Sequence, residues 1–170
     1  MLKPYATLLR TPGALKFSVA GLIGRMPIAM DSLAIIFIVV AATDSYALAG
    51  ALTAVGSIVV GAAEVFWSRQ ADRRGQAKIL FLAVPTRVIS FVIFVVLVSK
   101  DAPIWTWFVS LIIAESTAIN AGGLVRRRWL HTLKNNPDNK DGHLVNTAYS
   151  WEAMVDEFVF IVGPVVATTC

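Results

Sequence analysis

An all-α bundle of membrane-crossing helices is the fold class that this sequence predicts, and three observations carry the prediction. Hydrophobic residues make up 56% of the 170 residues and charged residues only 15%, where soluble domains run about 45–50% and about 25%. The mean hydropathy is +0.68. The apolar residues also gather into five long runs, each near the roughly 20 residues that a helix needs to cross a hydrocarbon layer about 30 Å thick. Such a composition excludes a disordered chain, a coiled coil and a routine soluble enzyme.

The first run covers residues 14–42 and is long enough to tilt. Arg25, Pro27 and Asp31 interrupt it, so it does not fit the apolar core of a signal peptide. The second, residues 46–67, carries small residues at four-residue spacing, Ala47/Ala51 and Ser57/Gly61, which let helices approach closely. The third, residues 79–99, holds Pro85 and Arg87. The fourth, residues 103–125, opens with Trp105 and Trp107 and holds Glu115, Ser116, Thr117 and Asn120. The fifth, residues 145–169, carries Glu152, Asp156, Glu157 and the dipeptide Gly163-Pro164. Trp67, Trp105, Trp107 and Trp129 lie at run ends and read as interfacial anchors. A proline inside a helix removes a backbone hydrogen bond and bends it, so Gly163 and Pro164 mark an expected bend.

Charge in the connections sets an expected orientation. Twelve of the 15 basic residues precede or open run 1, or fall between runs 2 and 3 or between runs 4 and 5. Lys and Arg are retained in the cytoplasm, so the N-terminus is expected inside a multi-pass protein of the cell (plasma) membrane. The net charge of +4 then records topology, and no nucleic-acid partner is implied. Among these bases, Arg126, Arg127 and Arg128 belong to a polar connector in which topological retention is the expected role and anionic-lipid binding the alternative. Five spans leave the last one without an antiparallel neighbour, so residues 1–170 are expected to be the N-terminal part of a longer bundle.

Several chemistries lack their residues. The single cysteine, Cys170, excludes an internal disulfide. His131 and His143 sit in a polar connector, and no metal site or cofactor is expected. No G-x-x-x-x-G-K-[ST] loop and no nucleophile–base set is present, so no enzyme is expected.

Ionisable groups inside spans are costly and face a cavity or a partner. Arg25, Asp31, Arg87, Glu115, Asp156 and Glu157 lie well inside their runs and are the candidate substrate and proton cavity. Glu152 lies one turn before Asp156 on the same face, and Glu64 lies near the inner end of its run. Six acids stand against two arginines. An apolar site with excess carboxylates cannot keep them all ionised, so a proton is the expected coupling ion, and a neutral or positive substrate is favoured. The competing reading is that Arg25 and Arg87 neutralise two of the acids as helix-to-helix glue, while Glu64 and Glu152 snorkel to the interface.

Between runs 2 and 3 stands Ser68-Arg69-Gln70-Ala71-Asp72-Arg73-Arg74-Gly75-Gln76-Ala77-Lys78. Gly75 allows a tight turn, Asp72 accepts hydrogen bonds, and the arginines hold the segment at headgroups. The segment resembles the signature of the major facilitator superfamily, G-x-L-A-D-R-x-G-R-R, with Ala71, Asp72, Arg73 and Gly75 matching. Ser68, Gln70 and Gln76-Ala77 depart from it. Residues 159–168 are similar, through Gly163 and Pro164 alone, to the fifth-helix motif of the family's antiporters, G-x-x-x-G-P-x-x-G-G. The resemblance implies spans 1–5 of a twelve-span carrier whose C-terminal half is missing. It implies alternating access around a midplane site, an inner gate loop at Asp72, Arg73 and Gly75, and efflux of a small molecule by antiport. The chain's other partner is membrane lipid. Two alternatives stand beside it, a truncated or non-transporting membrane scaffold and a small carrier that works as a homo-oligomer.

Overall fold

The computed structural model describes residues 3–134, 136, 139 and 142–169. Seven helices follow one another: α1 (Lys3–Arg10), α2 (Ala14–Thr43), α3 (Tyr46–Arg74), α4 (Gln76–Ser99), α5 (Ile104–Glu115), α6 (Ala121–Leu133) and α7 (His143–Thr169). There is no strand among the described residues.

Three helices, α2, α3 and α4, are long and apolar enough to cross a membrane, and the chain is membrane-embedded on that ground. Of the five expected spans, three meet this measure of length and composition among the described residues. Residues 103–125 do not form one helix, because α5 stops at Glu115 and α6 starts at Ala121. With 12 residues, α5 is too short to span unaided. In α7 the length is sufficient at 27 residues, but Glu152, Asp156 and Glu157 interrupt its apolar stretch.

The connections explain where helices stop. Ser45 caps α3, its Oγ accepting from the Leu48 N–H at 3.2 Å. α3 then runs past the expected end at residue 67, so residues 68–74 are helix rather than loop. Gly75 alone separates α3 from α4, at φ +87° and ψ +144°, where a Cβ is strongly disfavoured. Its N–H donates to the Ala71 carbonyl and closes α3. Helices α2, α4 and α7 are helical on both sides of Pro27, Pro85 and Pro164.

The chain forms two compact units, one from Met1–Asp31 and Ala121–Cys170, the other from Ser32–Asn120. The first contains α1, the first half of α2, α6 and α7. Its core packs Leu8, Ala14, Val125, Trp129, Leu133, Leu144 and Ala148, with the Phe17 ring edge-on to Trp129 at 4.6 Å between centroids. Trp129, expected as an interfacial anchor, is fully buried there. The second unit contains the rest of α2 with α3, α4 and α5. Its core packs Ile35, Val39, Leu52, Phe94, Val98, Trp107 and Leu111, so Trp107 too is a core residue and not an anchor. Large apolar side chains such as Ile58, Phe81, Leu82, Phe160 and Ile161 are exposed, which suits lipid and not water.

Candidate functional site

The first unit holds a network of five side chains drawn from three helices. Arg25 of α2 lies beneath 6% exposure and pairs through Nη2 with Oε2 of Glu152, itself 1% exposed. Arg25 Nη1 stands 3.1 Å from Asp156 Oδ1. Glu152 Oε1 accepts from the Trp129 Nε1–H at 2.7 Å. Asp156 Oδ2 accepts from Arg126 Nη2 at 2.7 Å. The order across the unit is therefore Trp129, Glu152, Arg25, Asp156, Arg126. Glu152 and Asp156 share one face of α7 because they are four residues apart. Arg126 and Trp129 share one face of α6 because they are three apart. Two guanidiniums meet two carboxylates, so the network is balanced when both acids are ionised. Arg25 Nε is buried and has no acceptor. Beside the network, Trp151 Nε1 donates to Ser18 Oγ at 2.9 Å and ties α7 to α2.

Small residues permit these approaches. A Cβ built on Gly21 would lie 2.5 Å from Val125 Cγ2, and one on Gly163 would lie 2.8 Å from Ala29 Cβ. Gly163 thus serves close packing of α7 on α2.

The second unit holds a separate pair. Arg87 Nη2 of α4 lies 2.9 Å from Glu115 Oε2, with side chains 15% and 4% exposed. Arg87 also stacks over the Phe91 ring at 5.2 Å and reaches the Ala114 carbonyl at 3.4 Å. Glu115 is the last residue of α5. The break that follows is satisfied locally. Ser116 Oγ and Thr117 Oγ1 donate back to the Ile113 and Ala114 carbonyls, and Trp67 Nε1 donates to the Ser116 carbonyl at 2.7 Å. Asn120 Nδ2 donates to Glu64 Oε2 at 3.3 Å. Backbone freed from a helix needs such partners in an apolar setting.

The six expected cavity residues are placed as follows within each unit. Arg25 and Asp156 meet in the first unit, and Arg87 and Glu115 meet in the second. Asp31 is half-buried on α2, and Glu157 is exposed although its neighbour Asp156 is in the network. Asp72 and Arg73 are exposed in the last turn of α3, next to Gly75. Glu152, Trp129 and Arg126 are the members that sequence reasoning assigned elsewhere. The i, i+3 spacing of Arg126 and Trp129 was the available signal, and it became readable only once residues 121–133 were known to be helical. Among the described residues no three His, Cys, Asp or Glu side chains come together as metal ligands.

Compared with protein-family models, with curated proteins and with solved structures, the chain matches none.

Proposed function

We propose that this chain is the N-terminal part of a major-facilitator-type secondary transporter of a plasma membrane, with its N-terminus in the cytoplasm. It works by alternating access and moves a small molecule outward in exchange for protons. The observation that carries this reading is the ion-paired network of buried Arg25 and Glu152 with half-buried Asp156 in a membrane-embedded chain. Charge held inside an apolar bundle is expensive, and it is retained where a pathway uses it. The Ala71-Asp72-Arg73-x-Gly75 pattern adds support, since Gly75 is where the chain turns from α3 into α4.

The charge balance refines the cargo. Arg126 brings the network to two cations against two acids, so the acid excess of the whole set does not apply at this site. A lipophilic compound, neutral or singly positive, fits such a surrounding better than a strongly charged one. Asp156, 27% exposed, is the carboxylate of the network that water reaches.

Everted membrane vesicles that contain the natural polypeptide test the reading, with acridine orange reporting a respiration-driven pH gradient and ethidium as the probe cargo. Ethidium should dissipate part of the gradient, and Asp156→Asn should abolish that response. A gradient indifferent to ethidium in vesicles with and without the protein would count against efflux. An Asp156→Asn response equal to wild type, with only stability altered, is the result that a non-transporting scaffold gives.

A further inference from the structure

Helix α6 has an apolar stripe and a basic one. Val125, Trp129 and Leu133 are buried in the core of the first unit, and their spacing of four puts them on one face. Arg127, Leu130, His131 and Lys134 are exposed on the side away from it. Arg127, His131 and Lys134 follow at intervals of four and three, so they form a row along the helix. The Lys134 N–H donates to the Leu130 carbonyl and carries the helical turn to the end of that row. The three consecutive arginines, alike in the sequence, are thereby set apart. Arg126 turns to one flank, where Asp156 Oδ2 accepts from it at 2.7 Å. Arg128 turns to the other, its guanidinium 5.7 Å from the centre of the Phe17 ring. Stacking of this kind uses the guanidinium face and leaves its N–H edge for an anion.

The row carries one sign of charge. Residues 121–134 hold no acid. α1, whose Leu8 shares the core with Trp129 and Leu133, holds none either and exposes Arg10. Lys16 is exposed at the start of α2. The next acids in sequence, Asp138 and Asp141, lie outside the described residues.

Depth follows from helix length. α2 has 30 residues, about 45 Å in all, so about ten residues exceed a hydrocarbon layer about 30 Å thick. The surplus belongs to the end that bears Lys16, since residues 32–42 carry no charge. Trp129 meets Phe17 and Val125 meets Gly21, both within that surplus. Residues 125–134 of α6 therefore lie at the depth of lipid headgroups.

We propose that the outer face of α6 is a binding surface for anionic phospholipid headgroups. Arg128 and Lys134 hold lipid phosphates, His131 donates between them, Arg127 adds positive charge, and Leu130 rests on the acyl chains. A helix with one face in the protein, a basic row outside and an apolar neighbour suits a negatively charged leaflet. Lipid is the occupant because the chain is membrane-embedded and headgroups already surround this depth. Arg126 takes no part, since Asp156 holds it. The surface requires an embedded chain and is independent of transport.

The test uses the full chain in lipid nanodiscs, with spin-labelled phosphatidylglycerol or phosphatidylcholine as the probe. The motionally restricted fraction of each spectrum gives the relative association of the two lipids. Both leaflets of a nanodisc have the same composition, so retention of the arginines on one side of a membrane does not enter the reading. A preference for phosphatidylglycerol of about fivefold is expected at about 0.15 M salt, falling towards parity at about 1 M. Arg128→Gln with Lys134→Gln, at exposed positions, should remove most of that preference. An unchanged phosphatidylcholine fraction would show that this variant remains folded. Arg69→Gln with Lys78→Gln removes the same charge from exposed positions of α3 and α4, and it should leave the preference intact. Equal association of the two lipids with the wild-type chain overturns the proposal. An equal loss in the two double variants also overturns it, because net charge alone would then decide. Excess inorganic phosphate at constant ionic strength should not displace the lipid, and displacement would make the face a site for free anions instead.

Discussion

Gly163 of α7 lies so close to Ala29 of α2 that a methyl group on the glycine would stand 2.8 Å from the alanine Cβ. Real side chains do not approach to that distance, and the Ala29 backbone carbon stands at 3.5 Å as well. One of the two helices must therefore move to admit a larger residue. Gly163→Ala should destabilise the chain by about 1–3 kcal/mol through overpacking. Gly50→Ala and Gly61→Ala, where a Cβ meets nothing within 4 Å, should instead be neutral or stabilise by up to about 1 kcal/mol. Thermal unfolding of the three variants in one detergent separates the cases. Equal melting temperatures would remove the packing argument for Gly163.

The buried pair Arg25–Glu152 makes a second prediction. Glu152→Ala leaves a guanidinium with 6% exposure short of its main counter-ion, and removing one partner of a buried pair costs about 3–5 kcal/mol. The double replacement Arg25→Met with Glu152→Met should recover most of that loss, because neither charge is then stranded. Unfolding by increasing sodium dodecyl sulfate in mixed micelles reads both. A double variant as weak as the single one would mean that the side chains' shape matters more than their charge.

Gly75 should tolerate no ordinary side chain. Its φ of +87° with ψ +144° belongs to a region used almost only by glycine, and forcing a Cβ into it costs about 1–3 kcal/mol. No atom blocks the space around it, so the whole effect of Gly75→Ala comes from the backbone. Faster cleavage by trypsin at the Arg73-Arg74 site, in proteoliposomes that expose this end, is the expected sign of the strained turn.

Trp67 holds the backbone at the break after α5. Trp67→Phe keeps the ring and deletes the donor to the Ser116 carbonyl, at a cost of about 0.5–1.5 kcal/mol. Amide exchange at residues 116–120 should quicken in that variant and stay unchanged in α4. Uniform exchange across the second unit would show that the bond does not stabilise the break.

Orientation yields to labelling. In a Cys170→Ser background, a membrane-impermeant maleimide added outside intact cells should modify Asp101→Cys, in the turn after α4, and spare Arg74→Cys. The opposite pattern would reverse the proposed topology.

Much of the scaffold was legible because length and hydropathy act locally. Residues 14–42, 46–67 and 79–99 announce themselves as helices, and Gly75 as a turn, from runs of apolar residues and one glycine, whereas the polar helical residues 68–74 do not. The failure at residues 103–125 has a physical cause. Hydropathy counts side chains, whereas the helix ends at Glu115 because Ser116 and Thr117 turn their hydroxyls back on the chain and Trp67 takes the Ser116 carbonyl from another helix. The network in the first unit was half legible. Arg25 and Asp156 drew attention as charges within apolar runs. Arg126 looked like one of three equivalent arginines, and nothing local distinguishes it from Arg127 or Arg128. Only the rotation of α6, which seats Trp129 in the core, aims Arg126 at Asp156.

The single residue between α3 and α4 leaves those helices no slack. A flexible loop would absorb a displacement of one helix before the other felt it. Here only Gly75 stands between the two helices, so the angle between α3 and α4 at this end is set by the two dihedrals of one residue, like an elbow with a single joint. Lengthening that connection by a few flexible residues would leave both arms intact and disconnect them, which makes the length of this elbow, more than its composition, the property to vary in a study of movement.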